Sequence, residues 1–535
     1  MNTFDFDFAT AKTLSPIVLD YLNDDDRLNK FHAGLPSVEN LLAQAQKKKL
    51  HYPQKHRETL LSAMEEKYAG LELHPKVEGN LQKLRSPNTF TVCTGHQLNL
   101  MTGPLYSIYK ILTTIKLADQ LNAREGDFEF VPVFWMASED HDFEEISFFQ
   151  SQGKKFQWNT AASGAVGRMP LDDLEKVLNL WESEGLLGPH QEKIRTWIAK
   201  SYSKAQTLSE ASFLLVHQIF QHFGLLILDA DHSQLKALFA PYMQQELKER
   251  TTQQAVNTQI TAFQKLYQAT YKPQVNPREI NLFYLTSDSR KRIIALEDGL
   301  SLEDRTQSAS MEKWLEELAQ KPENFSPNVL MRPLYQECIL PNVAYIGGGG
   351  ELAYWLQLQK SFEAFRLPFP LLLVRQSALL FKQNTHKKWS RMGLALKDVF
   401  LDRNTLINKK IRLISNIDLD FGKLKSALHE QFSYLDSLVI QTDPSFEGAL
   451  AAQKRKQIKG LEHLEKRLLK AQKRKLKDQV SRLVLLHENF FPGEKIQERT
   501  LNFMDFYAEE GPALLDTLYH HFSPLHPKML AVELL

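Results

Sequence analysis

Thr91-Val-Cys-Thr-Gly-His-Gln-Leu-Asn-Leu-Met-Thr-Gly-Pro-Leu-Tyr106 opens the part of the chain that decides its fold, and Phe130-Val-Pro-Val-Phe-Trp-Met-Ala-Ser-Glu-Asp-His-Asp142 closes it. A short apolar strand at 90–93 runs into a Gly/His turn, a helical run carrying Lys110 follows, and a second apolar strand at 130–136 ends in polar residues. This is the pattern of a βαβ unit. Its polar side chains gather where strands end, the place at which open α/β sheets bind ligands. Packing has no use for two separate polar clusters at strand ends, so an enzyme site is expected here.

Outward from this unit, residues 1–85 are expected to form a helical segment, with a turn at Gly34-Leu35-Pro36. Residues 86–160 make the first part of an α/β core. Residues 161–325 read as mainly helical inserts, interrupted by Gly224-Leu-Leu-Ile-Leu-Asp229, a buried strand ending in acid, and by hairpin-like alternation over 281–296. Apolar strands at 343–346 and 370–374, with a helix between them, return the chain to the core over 326–385.

From 386 to 490 the chain changes character. Leu424, Leu428, Leu435 and Leu438 mark an amphipathic helix. Asp443-Pro444 breaks it, and a long second helix carries Ile458, Leu461, Leu464, Leu468, Ala471, Leu476, Val480 and Leu483. The heptad phase slips near Lys475, which predicts an antiparallel coiled-coil hairpin or an intermolecular bundle rather than a long parallel zipper. Such an arm could build a homodimer. Pro492-Gly493 ends it, and 491–535 is expected to be a helical tail.

Composition narrows the class. The chain has 535 residues, a formal charge of +1 and two cysteines, Cys93 and Cys338. The balanced charge excludes a globally basic nucleic-acid binder, and two cysteines cannot form a disulfide framework. The first residues, Met-Asn-Thr-Phe-Asp-Phe-Asp-Phe, carry acids where a signal peptide needs bases. No run approaches the roughly 18 apolar residues of a membrane helix, so a cytoplasmic enzyme with no membrane partner is expected. One local exception is 453–482, with twelve Lys/Arg against three acids. It could contact RNA phosphates, but no aromatic residues are interleaved for base stacking, and a solvated dimer arm is the favoured reading.

The candidate site residues follow from side-chain chemistry. Thr94-Gly95-His96-Gln97 stands at a strand-to-helix transition, where backbone N–H groups favour phosphate or carboxylate and His96 can donate or shuttle a proton. The plainer reading is a tight turn. Lys110, one helical turn after Tyr106, could meet an anion, although a surface lysine is the simpler account. Glu139, Asp140, His141 and Asp142 could bind an amine or act as general base; the plainer reading is an acidic N-cap. Their spacing matches no metal motif. Gly347-Gly348-Gly349-Gly350-Glu351 can cradle a ligand, but it is neither a dinucleotide fingerprint nor a P-loop. Arg332 and Arg375 flank it and could pair with carboxylates. Cys93 and Cys338 read as buried small hydrophobes.

At these residues the sequence resembles the bacillithiol-biosynthesis cysteine-adding enzyme family, the cysteine ligases. The matching pieces run in order along nearly the whole chain. They include Thr94-Gly-His-Gln97, Thr102-Gly-Pro-Leu-Tyr106 with Tyr109-Lys110, and Pro132 to Asp142. Pro277-Arg-Glu-Ile-Asn-Leu-Phe283, Arg332-Pro with Leu340-Pro, Ala344-Tyr-Ile-Gly-Gly348 with Glu351-Leu-Ala-Tyr354, and Gln497-Glu-Arg499 complete them.

The resemblance implies a Rossmann-like parallel-sheet core of the class I aminoacyl-tRNA synthetase type, helical connective inserts and a C-terminal coiled-coil arm that dimerises. It implies a ligase that joins the carboxyl of cysteine to the amine of glucosaminyl malate, the last step in making bacillithiol. ATP with magnesium is expected from that fold likeness, with no protein-bound metal. The implied catalytic set is Glu139, Asp140, His141, Asp142 and Lys110. The implied substrate- or nucleotide-binding set is Thr94, Gly95, His96, Gln97, Gly103, Tyr106, Trp135, Asn281, Arg332, Gly347, Gly348, Glu351 and Tyr354. Two other readings stay open: a non-catalytic RNA-binding or scaffold protein, and a tRNA-dependent aminoacyl transferase that would use the basic arm.

Overall fold

The computed structural model describes residues 2–184, 186–439, 441, 443 and 445–534. Its core is a five-stranded parallel sheet. In chain order the strands are β1 (Thr89–His96), β2 (Glu129–Met136), β3 (Leu226–Asp229), β4 (Asn342–Gly347) and β5 (Leu371–Val374). Their order across the sheet is β5-β4-β1-β2-β3, all neighbours parallel. Strands buried on both faces read as unbroken apolar runs, which is why 130–136 and 370–374 were legible. Helix α1 (Tyr106–Asn122) crosses from β1 to β2 and buries Ile108, Ile111, Leu112 and Ile115. Helix α2 (Ser233–Glu249) follows β3, and the short α3 (Gly349–Trp355) follows β4. Phe90, Val92, Leu117, Phe130, Ile346 and Leu373 share one core cluster.

Several expectations change. The first strand does not stop at residue 93. It runs through Thr94 and Gly95 to His96, paired with Phe134, Trp135 and Met136, and the helix begins only at Tyr106. Within the stretch read as mainly helical, the strand ending in Asp229 is the edge of the core sheet. The 281–296 hairpin forms from Leu282–Leu285 and Arg290–Leu296, but it belongs to a five-stranded antiparallel sheet with Gly299–Leu302, Ser308–Ala309 and Phe325–Pro327. At the chain ends, Asn2–Phe6 and Met529–Leu534 are strands where helix was expected. Phe4 and Phe6 alternating with Asp5 and Asp7 is a period of two, and Met529 to Val532 is a continuous buried apolar run.

Residues 3–379 with 498–531 form one compact unit, and 380–497 with 532–534 belong to a second. In the second, Gly422–Val439 and Ser445–Lys475 are long helices. Lys425 meets Glu465 at 2.7 Å and Lys454 meets Asp436 at 3.6 Å, so residue numbers rise along one helix as they fall along the other. The hairpin is antiparallel, one of the two arrangements left open by the slipping heptad phase. The slip itself is a break at Leu476, after which Lys477–His487 continues. Pro444 lies outside the described residues. Among the described residues no helix is long and apolar enough to cross a membrane.

Candidate active site

A cavity of about 330 Å³ opens beyond the C-terminal ends of β1, β2 and β4. The chain enters the sheet at β1 and leaves in opposite directions toward β2 and β4, so this is the topological switch point at which open α/β sheets bind ligands. Gly95 and His96 come from β1 and Gln97 from just beyond it, Trp135 and Met136 from β2 and Ala137 to Asp140 from the turn that follows, and Tyr345 and Glu351 from β4 and α3. Tyr106 and Lys110 project from α1, and Arg290, Asn328, Arg332 and Tyr354 close the remaining wall.

Lys110 is no surface lysine; it is 2% exposed. Its Nζ donates to the Gly95 carbonyl at 2.8 Å and meets Glu351 Oε1 at 2.5 Å. Glu351 also accepts the Tyr345 hydroxyl at 2.6 Å. Burial pushes the Glu351 carboxyl up, but the Lys110 cation and these hydrogen bonds outweigh it and hold the group ionised. The Lys110 charge is thus spent within the protein.

His96 is neutral. Burial, with the Lys110 cation near, pushes its imidazole down to about 3, and the ring stands edge-on to Tyr106 with centroids 5.1 Å apart. Among the described residues its Nε2 is buried without a hydrogen-bond partner. It can hydrogen-bond a ligand, but it is not the cation that an anion site at 96 would need.

The acidic cluster divides. Glu139 and Asp140 line the cavity, whereas His141 and Asp142 are exposed. Asp142 caps the short helix Phe143–Ile146 through Glu145 N, which is the plainer role foreseen for it. His141 Nδ1 accepts from Arg290 at 2.9 Å. Asp140 accepts Gln97 Nε2 at 2.8 Å and its carboxylate stands 3.9 Å from Arg290. Burial raises the Asp140 carboxyl, but bonds from His141 and Gln97 outweigh this and hold it well below the ordinary range. Glu139 goes the other way: burial pushes it up more than Lys236, 2.7 Å away, pulls it down.

Arg332 differs from its neighbours. Arg375 is closed by a buried bidentate pair with Glu498, at 2.6 and 3.0 Å. Arg332 donates to Gln336 Oε1 at 3.0 Å and stands beside the Tyr354 hydroxyl, and among the described residues its Nη2 is buried without a hydrogen-bond partner. Its guanidinium lies over Trp135 at 5.7 Å, Tyr345 at 5.5 Å and Trp355 at 6.0 Å. A cation held by ring faces with no carboxylate of its own is ready for an anionic ligand.

Other expected residues support the cavity without lining it. Thr94 Oγ1 is engaged with the Ile346 carbonyl at 2.7 Å. Gly103 takes φ +68° in a turn where a Cβ would stand 2.6 Å from Asn99 Cβ. Asn281 is buried, donates to Glu246 and accepts from Asn328, which does line the cavity. Gly347 and Gly348 shape the β4–α3 turn, with Gly348 N donating to Glu351. Thr94 and the Gly95 carbonyl are engaged, and Glu351 sets a carboxylate at the start of α3. Among the described residues no group of three His, Cys, Asp or Glu is arranged for a metal. Both cysteines are buried, and burial pushes the Cys338 thiol up to about 12.

Sequence reasoning missed Ser138, Arg290, Asn328 and Tyr345, together with Lys236 and Asp231 behind Glu139. Asp231 had a signal: it follows the acid that ends β3. Arg290 had none, because it stands in an ordinary basic hairpin.

Two family models divide the chain between them. Residues 1–376 match "Bacillithiol biosynthesis BshC, N-terminal Rossmann-like domain", and residues 378–534 match "Bacillithiol biosynthesis BshC, C-terminal coiled-coil domain". The chain belongs to the BshC family. A relative from Christiangramia forsetii is 44% identical over 98% of both chains, and one from Flavobacterium johnsoniae is 42% identical over 98% of both. One from Cytophaga hutchinsonii is 33% identical over 96% of this chain and 95% of its own. All three bear the name "Putative cysteine ligase BshC". The chain is an enzyme of the ligase class, built as a Rossmann-like domain followed by a coiled-coil domain.

Proposed function

We propose that this BshC family member joins the carboxyl of L-cysteine to the amine of glucosaminyl malate, forming bacillithiol through an activated cysteinyl intermediate. The observation that carries this reading is the division of charge in the cavity. Arg332 offers an uncompensated cation in an aromatic box, and Glu139 with Asp140 offers acids at the end of β2. An acceptor bearing both carboxylates and an amine matches the two together. Carboxylate and amine do not condense efficiently in water, so the cysteinyl carboxyl must arrive activated. Glu139 and Asp140 then receive or orient the ammonium, and Trp135 excludes water.

The test is mass-spectrometric detection of the amide from purified protein, cysteine and glucosaminyl malate, with ATP–Mg²⁺ present or omitted. Product only with ATP, with AMP and pyrophosphate released, supports adenylation; ADP and phosphate support an acyl-phosphate. Product from cysteinyl-tRNA alone would establish the transferase reading instead. In the same assay Asp142→Ala should keep most activity, since only an N-cap worth about 1 kcal/mol is removed. Asp140→Asn should lose roughly 100-fold or more, on the scale of acid–base contributions. Equal losses would return Asp142 to the site.

We further propose that the coiled-coil arm pairs with a second copy. It leaves Leu424, Tyr434 and Leu464 more than half exposed, at 52%, 67% and 55%. Light scattering should give twice the 61.7 kDa chain mass. A Leu424→Lys/Leu464→Lys variant should give the single mass, and a monomeric wild type would refute the pairing.

A further inference from the structure

A second cavity, of about 400 Å³, opens beside the C-terminal end of β3, where Lys67, Glu210, Asp229 and Asp231 line it. Between it and the site cavity stands a row of alternating charges. Glu139, which lines the site cavity, meets Lys236 Nζ at 2.7 Å, and Lys236 meets Asp231 at 3.0 Å. Asp231 faces the second cavity and takes the Arg168 guanidinium at 2.6 and 2.8 Å. Lys236 is 1% exposed, and its remaining partner is the Glu323 carbonyl at 3.0 Å.

One buried ammonium is thus shared by two carboxylates, and the division is unequal. Asp231 has a guanidinium of its own, whereas Glu139 depends on the shared cation. The other charged or titratable groups that face Glu139 are Arg290 from the antiparallel sheet, Arg168, Asp140 beside it in the chain, and Tyr335. Arg290 is engaged by His141 and the Pro327 carbonyl and stands nearest Asp140. A proton added to the row therefore settles on Glu139, its only under-compensated acid and the one that reaches the site cavity.

We infer that Glu139 takes the proton from the acceptor ammonium, and that Lys236 and Asp231 are positioning residues that set the pH at which it can do so. The Glu139 carboxylate gains one proton, the ammonium loses it, and the nitrogen keeps the electron pair. That pair forms the C–N bond to the activated cysteinyl carbonyl, the bond from that carbonyl to its activating group breaks, the group leaves with the bonding electrons as an anion, and the second nitrogen proton passes to solvent. The inference rests on the reading of this cavity as an amine-acylating site, and it commits that reading to one base.

The two neighbours act with opposite sign. Loss of the Lys236 cation makes Glu139 harder to ionise, and loss of the Asp231 anion makes it easier. The experiment is an infrared titration of δ-¹³C-glutamate-labelled full-length protein, with Glu139→Gln to assign the protonated carboxyl band. Lys236→Met should move the Glu139 midpoint up, and Asp231→Asn should move it down, each by about one pH unit. Lys236→Arg should restore it, and Lys236→Gln stands in if the methionine variant does not fold. The acid limb of the ligation rate should follow the same two displacements, and Glu139→Asp should retain a limb that Glu139→Gln loses. Midpoints that stay put, or move together, overturn the control by Lys236 and Asp231. Midpoints that move while the acid limb stays fixed overturn Glu139 as base. A wild type that forms no amide from any donor sinks the cysteine-joining reading, while the infrared arm still decides the coupling.

Discussion

Replacing Arg332 with methionine should leave the fold as stable as before, or more stable, while ligation collapses. The reason is that Arg332 sits among Trp135, Tyr345 and Trp355 without a carboxylate of its own. Exchanging desolvated charge for an apolar chain of similar volume is neutral or stabilising, by up to about 4 kcal/mol for complete buried ion pairs. A substrate carboxylate bound there would instead lose its guanidinium partner. Removing one member of a desolvated charge pair costs about 2–5 kcal/mol, which is roughly thirtyfold to several-thousandfold in kcat/KM. Urea melts and steady-state kinetics on the same preparation read both effects. Arg332→Lys should recover little, since a point charge neither stacks on the rings nor forks onto a carboxylate. A variant that loses stability and activity in parallel would show that Arg332 is structural cement and not an anion receptor.

Lys110→Met should behave in the opposite way. Lys110 and Glu351 neutralise each other at 2.5 Å, and Lys110 also caps the Gly95 carbonyl. Methionine at 110 leaves the Glu351 carboxylate without its counter-ion at the cavity wall, where its side chain is 26% exposed. Breaking a fully buried pair from one side costs about 3–5 kcal/mol; water reaching Glu351 through the cavity lowers this to about 1–3 kcal/mol, still a large part of the stability of an ordinary domain. Unfolding free energy from denaturant melts should fall by that amount. Adding Glu351→Gln should restore part of it, because the stranded charge is gone while a hydrogen bond with Tyr345 can remain. If the double variant is as unstable as the sum of the single ones, the two residues are not coupled, and the account of Lys110 as an internal counter-ion fails. The contrast between the variants is the useful result: one cation is spent on the fold and the other is kept for a ligand, although both line the same cavity.

Much of this was legible from sequence, and for a definite reason. Strands buried on both faces must be apolar throughout, so 130–136, 226–229 and 370–374 identified themselves, and the polar residues that follow them marked the edge where a ligand binds. The slipping heptads of the C-terminal helices argued against a long parallel zipper and left a hairpin or an intermolecular bundle, between which the Lys425–Glu465 and Lys454–Asp436 pairs decide. The length of β1 was not legible, because Thr94, Gly95 and His96 look like a turn and are strand only through their pairing with Phe134, Trp135 and Met136. Residue type announced Lys110, Arg332, Glu139 and Asp142 as candidates, but what each does is a question of partners. Sequence by itself determined the α/β core, the edge of the sheet where chemistry is possible, and a helical arm that is no long parallel zipper, since these follow from local periodicity. Only the tertiary structure decided that Lys110 is spent on Glu351, that Arg332 is not spent, that Asp142 caps a helix, and that Lys236 and Asp231 stand behind Glu139. The physical reason is that the energy of a charge out of water depends on which groups lie within a few ångströms of it, and folding brings those groups from distant parts of the chain.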